Sequence, residues 1–147
     1  MPTPLRIALA ADHAGYLLKD KIRIWLEEMG HEPIDLGTNS NDSVDWPDFG
    51  RRIGQAVASG EAALGVAICG SGIGISIAAN KVAGARAANC TSGLMARLSR
   101  QHNDANILCL GERLIGEATA RDALNEFIST DFEGGRHQRR VDMLDQG

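Results

Sequence analysis

Five short apolar runs divide the chain: Leu5 to Ala11, Glu32 to Leu36, Leu64 to Cys69, Ala85 to Ala88 and Ile107 to Leu110. Runs of this length, bounded by polar and glycine-containing segments, read as buried strands. Between them apolar residues recur every three or four positions, as in Leu18, Ile22, Trp25, Leu26 and Met29, or Phe49, Ile53, Ala56 and Val57. That spacing puts them on one face of a helix. Gly30, Gly60 and Gly84 fall where three helices should stop. Strand and helix alternating five times predict an α/β fold with a parallel sheet covered by helices on both faces, and right-handed crossovers leave few strand orders. The expectation is a Rossmann-like or flavodoxin-like doubly wound sheet of five strands. No repeat, low-complexity block or linker interrupts the pattern, and Thr38 to Ser43 reads as one polar loop, so residues 1–147 are expected to form a single domain. After Gly134 and Gly135 the chain restarts as a short basic segment, which reads as a helical arm folded onto that domain.

Composition supports one ordinary core: 147 residues, 44% hydrophobic and 23% charged, which excludes a disordered tail, a collagen-like repeat or a disulfide miniprotein. Fifteen Lys and Arg against 19 Asp and Glu give a net charge of -4, so nucleic acid is a poor partner. Cys69, Cys90 and Cys109, odd in number and widely spaced, fit neither a disulfide framework nor a paired zinc motif. No stretch approaches the length of a membrane span or a signal-peptide core, and a reducing, cytoplasmic setting is expected. The 17 glycines exceed the average usage of roughly 7%, and such an excess calls for tight turns or close backbone approach.

In doubly wound sheets ligands bind outside the carboxyl ends of the strands. After the first strand comes Asp12-His13-Ala14-Gly15, where Asp12 either caps the next helix or joins His13 in a site. The third strand runs into Cys69-Gly70-Ser71-Gly72-Ile73-Gly74-Ile75-Ser76 and a helix. Three glycines in five residues at a helix start let backbone N–H groups converge on an anion, and the dipole adds attraction. The spacing is neither the dinucleotide fingerprint nor a P-loop. At the loop's entrance, Cys69 is either a small buried hydrophobe or a thiol whose thiolate the helix start favours, able to act as base or nucleophile; Cys90 and Cys109 read as core.

Ser99-Arg100-Gln101-His102-Asn103-Asp104 precedes the fifth strand and Gly111-Glu112-Arg113 follows it. His102 therefore belongs to the amino edge of the sheet, whereas Cys69 lies at the carboxyl edge, a strand of roughly 17 Å away. Within one chain the two should not meet: His102 is structural or serves the site of another copy. Arg136 and Arg140, four apart and beside His137 and Arg139, form either a phosphate or carboxylate clamp or a solvated basic terminus.

These four ordered motifs, Asp12 to Gly15, Cys69 to Lys81, Ser99 to Asp104 and Gly135 to Arg140, resemble the ribose-5-phosphate isomerase type B and LacA/LacB sugar-phosphate isomerase family over nearly the whole chain. The resemblance implies interconversion of an aldose and a ketose phosphate through an enediolate, with no metal and no cofactor, in a homo-oligomer, dimer or tetramer, whose sites include residues of two subunits. It implies catalytic roles for Cys69 as the base, Ser71 with the Gly70, Gly72 and Gly74 amides as the anion hole, and His102 assisted by Asp12 in ring opening. Asn103 would hold the sugar; His13, Arg113, Arg136, His137 and Arg140 would hold the phosphate. Relatives commonly carry Tyr where Trp46 stands, so a phenol contact is lost while packing and an N–H donor remain. Ile75 follows Gly74 where some members place a glutamate base, which favours Cys69. Ribose 5-phosphate is the expected substrate; a hexose 6-phosphate (allose or galactose 6-phosphate) and a non-catalytic sugar-phosphate-binding module are the alternatives.

Overall fold

The structure, a computed structural model, describes residues 3–146. Strands and helices alternate as β1 (Arg6–Ala11), α1 (Tyr16–Glu28), β2 (Glu32–Asp35), α2 (Trp46–Ala58), β3 (Leu64–Cys69), α3 (Ile73–Asn80), β4 (Ala87–Asn89), α4 (Gly93–Asn103), β5 (Ile107–Gly111), α5 (Glu117–Ser129) and α6 (Arg136–Leu144). Every strand pair is parallel, in the order β2-β1-β3-β5-β4. The doubly wound five-stranded sheet read from the sequence is thus present, with β5 inserted between β3 and β4. All five β5 residues are buried, as an interior strand covered on both faces requires, whereas β4 is three half-buried residues at the edge.

Winding direction decides which face each helix covers. The β1–β2 and β4–β5 connections run one way across the sheet and the β2–β3 and β3–β4 connections the other, so right-handed crossovers put α1 and α4 on one face and α2 and α3 on the opposite one. The core divides accordingly. Ile7, Leu9, Leu64, Val66, Ile68, Leu108 and Leu110 pack with α1, α4 and α5 around fully buried Phe127. Alternate residues of the same strands, Ala8, Ala10, Ala67, Cys69 and Cys109, are small and face α2 and α3. There helices approach closely: a Cβ at Gly65 would stand 3.0 Å from Ile53, and one at Gly50 would stand 2.5 Å from the Ala78 Cβ.

Local signals account for most boundaries. Pro47 and Asp48 open α2, suited to a first turn that lacks acceptors for its N–H groups and favours negative charge. Gly30 and Gly60, at φ +86° and +83°, follow the ends of α1 and α2 as expected. Gly84 does not end a helix: α3 stops at Asn80, whose side chain donates to the Ala87 carbonyl (3.0 Å) and accepts the Ala87 N–H (2.8 Å). This pairing draws the chain out of the helix and shifts β4 to Ala87–Asn89 from the expected Ala85 to Ala88. The basic segment after Gly135 is helical, as α6, and lies against α4.

Candidate active site

A cleft of about 520 Å³ opens at the carboxyl ends of β1, β3 and β5, lined by Asp12, His13, Trp46, Cys69 to Ser71, Ile73, Gly74, Arg113 and Leu114. It sits where the chain leaves β1 and β3 toward opposite faces, the switch point of such sheets.

Cys69 ends β3 and is 5% exposed. Gly72, at φ +78°, turns its N–H back onto the Cys69 Sγ at 3.1 Å, and the Ser71 Oγ accepts the Ile73 N–H at 3.2 Å. The next first-turn amides, Gly74 and Ile75, have no carbonyl one turn back inside the helix, so the positive end of α3 meets the cleft with donors. Backbone bonds fix this loop to the end of β5: Glu112 N–H to the Cys69 carbonyl and Arg113 N–H to the Gly70 carbonyl, both 3.0 Å. Asn89, at the tip of β4, donates its Nδ2 to the Ser71 carbonyl at 3.4 Å.

The starts of α1 and α3, both beside the cleft, are handled differently. Asp12 does not cap α1; its Oδ1 accepts the Ala14 N–H at 2.9 Å. The α1 donor of Leu18 is instead taken by the Glu112 carboxylate at 2.7 Å. With the Leu18 donor taken by that internal anion, the start of α3 is the one that meets Cys69 with free donors. Glu112 carries no local signal for this contact, because it reaches a helix 94 residues earlier.

Around the rim, the His13 Nδ1 accepts the Val44 N–H at 3.1 Å. A backbone N–H only donates, so this nitrogen is unprotonated and the neutral ring carries its proton on Nε2. The Trp46 indole lies on Gly74, where a Cβ would come within 3.0–3.2 Å of the ring, and the Arg113 guanidinium lies over Gly70.

The remaining candidates form a second cavity of about 390 Å³ at the opposite edge of the sheet, lined by His102, Asn103, Arg136, His137, Arg140, Val141 and Leu144. Ser92 caps the start of α4 by accepting the Met95 N–H at 3.1 Å, and Asp104 ends it at φ +46°, held by Arg100 (2.9 Å) and Arg86 (3.3 Å). The His102 and His137 rings stack with centroids 4.5 Å apart, and the Glu133 Oε1 lies 3.9 Å and 3.5 Å from their Nε2 atoms. The His137 Nε2 is buried with no hydrogen-bond partner. Burial pulls the His137 pKa below the ordinary imidazole value, with Arg136 and His102 adding to the effect and Glu133 opposing it. The three ligand atoms lie close enough to hold a cation, but the bordering guanidinium groups of Arg136 and Arg140 make the cavity better suited to an anion. Among the described residues, Arg113, Arg136 and Arg140 pair with no carboxylate.

The structure therefore brings Asp12, His13, Trp46, Cys69, Gly70, Ser71, Gly74 and Arg113 together and keeps them apart from His102, Asn103, Arg136, His137 and Arg140, as the strand geometry anticipates. Cys90 and Cys109 are buried outside both groups; burial pushes the Cys90 thiol up to about 11, and burial with the neighbouring thiols pushes Cys109 up as well.

Fold and cleft define an enzyme of the sugar-phosphate isomerase class: residues 7–144 match the family model described as Ribose/Galactose Isomerase. The chain is 46% identical over 139 residues to the ribose-5-phosphate isomerase B of Escherichia coli (strain K12), covering 95% of this chain and 93% of that one. It superimposes on a Clostridium thermocellum ribose-5-phosphate isomerase B with a TM-score of 0.95 at 52% identity, covering 96% and 95% of the two chains. A Mycoplasma genitalium ribose-5-phosphate isomerase B with bound ribulose-5-phosphate gives a TM-score of 0.92 at 40% identity, covering 96% and 94%. The chain belongs to the ribose/galactose isomerase family. Among its described residues no helix is long and apolar enough to cross a membrane.

Proposed function

We propose that the protein interconverts ribose 5-phosphate and ribulose 5-phosphate in the cytoplasm, at sites completed by a second copy of the same chain. One observation carries the reading: the Cys69 sulfur receives the Gly72 N–H at 3.1 Å at the open start of α3, in the same cleft as Asp12, His13 and Arg113. Moving a proton between C1 and C2 of an open-chain sugar requires a base aligned with the carbon acid and donors where the oxyanion develops. Cys69 is the base. Ser71 and the amides of Gly70 and Gly74 receive the enediolate oxygens, while the Gly72 amide, expected to join them, is directed at the Cys69 sulfur. Ring opening precedes this step: His102, assisted by Asp12 of the other copy, moves a proton from the anomeric hydroxyl to the ring oxygen as the C1–O4 bond breaks. Asn103 holds the sugar, Trp46 walls it, and His13, Arg113, Arg136, His137 and Arg140 hold the phosphate, whose binding energy orients the reacting carbons.

Exposed apolar residues support the sharing of sites. The β4 edge is flanked by exposed Ile73 and Ile77 on α3 and by exposed Leu94, Met95 and Leu98 on α4. A two-fold axis at that edge sets the carboxyl end of one sheet against the amino end of the other, so that the Cys69 cleft of each copy meets the His102 cavity of its partner. A panel of phosphorylated pentoses and hexoses, with the ketose product detected directly, tests the reading. Ribose 5-phosphate should turn over fastest, deuterium from heavy water should enter next to the carbonyl, and Cys69→Ala should abolish both. Preference for a hexose 6-phosphate would reassign the substrate; turnover of none would leave a binding module.

A further inference from the structure

Lys19 is a buried lysine on α1, its side chain 1% exposed. Lysines are almost never fully buried unless paired. Its Nζ donates to both oxygens of Asp35, each at 2.8 Å, and to the Asn39 Oδ1 at 2.9 Å, so all three ammonium protons are used. Asp35 is the last residue of β2, and its Oδ1 also accepts the Gly37 N–H at 2.9 Å. Gly37 and Thr38 in turn clasp the end of β1: the Ala11 N–H donates to the Gly37 carbonyl and the Thr38 N–H to the Ala11 carbonyl, both at 2.8 Å, one residue before Asp12. The segment that starts from this clasp runs to Val44, whose N–H reaches the His13 Nδ1 at 3.1 Å, and then to Trp46.

A residue serving only to fill space at position 19 would not need a charge, because replacing a buried ion pair by apolar groups of similar volume is often neutral or stabilising. Here the ammonium ties a helix to a strand end and to the loop that carries the His13 partner. We infer that Lys19 is a positioning residue for the cleft: through Asp35 and Asn39 it holds the 36–45 loop so that the Val44 N–H stays on the His13 Nδ1. That contact keeps the proton of the neutral ring on Nε2. Without it nothing fixes which ring nitrogen is the acceptor, the ring exchanges between tautomers, and its donor is no longer aimed. The inference rests on the proposed function only for what His13 binds.

The test uses the full chain with Lys19→Met, checked for folding by circular dichroism, and reads the His13 ring nitrogens by nitrogen-15 NMR. The parent should show an acceptor Nδ1 and a protonated Nε2; the variant should show a mixture of tautomers. Loss of an interaction made equally in ground and transition states should raise KM for ribose 5-phosphate about tenfold and leave kcat within about threefold. A folded variant whose His13 nitrogens or KM match the parent overturns the inference. Should Lys19→Met fail to fold, Asn39→Ala cuts the loop-side acceptor alone and must shift the same tautomer signals, unchanged signals again being decisive against it. If the parent turns over no sugar phosphate, the proposed function fails while the NMR comparison still decides the role of Lys19.

Discussion

Gly72 and Gly74 lie two residues apart in the same loop and helix start, and the structure gives them different reasons to be glycine, so replacing each by alanine should give opposite signatures. Gly72 has φ +78°, and a Cβ there would collide with the Asn89 Oδ1 and stand 3.0 Å from the backbone carbon of Leu110. The left-handed backbone costs an L-residue about 1–2 kcal/mol and the overpacking against backbone a further ~1–3 kcal/mol. At about 2–4 °C per kcal/mol for a chain of this size, Gly72→Ala should melt roughly 10 °C below the parent. Its kcat should also fall by about 100-fold below the melt, because the N–H aimed at Cys69 is displaced. Gly74 has no positive φ and sits in the first turn of α3, where alanine gains up to about 1 kcal/mol of helix propensity. The new methyl presses on the Trp46 indole at 3.0–3.2 Å, and that ring, 40% exposed, can swing aside. Gly74→Ala should therefore melt within about 3 °C of the parent while raising KM. Scanning calorimetry with steady-state kinetics on both variants checks the pair. A Gly72→Ala protein that melts with the parent, or a Gly74→Ala protein that melts as low as Gly72→Ala, would refute the reasoning.

The lowered pKa of His137 means that the folded chain resists protonation there, so the stability contributed is complete above the unfolded imidazole value near 6.5 and is lost as pH falls through the lower folded value. The urea midpoint of the parent should drop between pH 7.5 and 5.5, and His137→Gln should remove part of that drop. Alkylation of the native protein at pH 8 should modify Cys69 first, since Cys69 lines an open cleft while Cys90 and Cys109 are buried and held protonated; mass spectrometry of peptides locates the label. If each site joins the Cys69 cleft of one copy to the His102 cavity of another, mixing inactive Cys69→Ala and His102→Asn proteins should restore about a quarter of parental activity, because half of randomly paired dimers then hold one intact site. Mixtures that stay inactive after subunit exchange would place the whole site in one chain.

Features that depend on neighbouring residues were legible in the sequence, and those set by distant pairing were not. The Cys69 loop could be read because strand, glycines and helix follow one another, and the rule that ligands sit after the strands singled out Asp12 as well, whereas Arg113 joined the site only through the family resemblance. The separation of His102 from Cys69 was also readable, since a residue before a strand and a residue after one lie at opposite sheet edges. The insertion of β5 inside β4 was not: two short apolar runs give no order, and only the burial of all five β5 residues shows which strand is interior. Glu112 and Lys19 escaped for a related reason. Each looks like a surface charge until its partner, 94 or 16 residues away, is folded against it.

The sheet face that packs on α2 and α3 connects core to chemistry. Ala8, Ala10, Gly65 and Ala67 keep that face shallow, so α2 settles close to the strands, and Gly50 and Gly54 let it cross α3 against Ala78 and Val82. Because the two helices touch through backbone and methyl groups, their starts are brought together as well, and Trp46 at the head of α2 meets Gly74 at the head of α3. Larger side chains on this face would still bury well, but they would lift α2 and carry the indole away from the Cys69 loop. The excess of glycine and alanine thus acts twice, once in the loop that presents amides to an anion and once in the core that sets the opposite wall of the cleft.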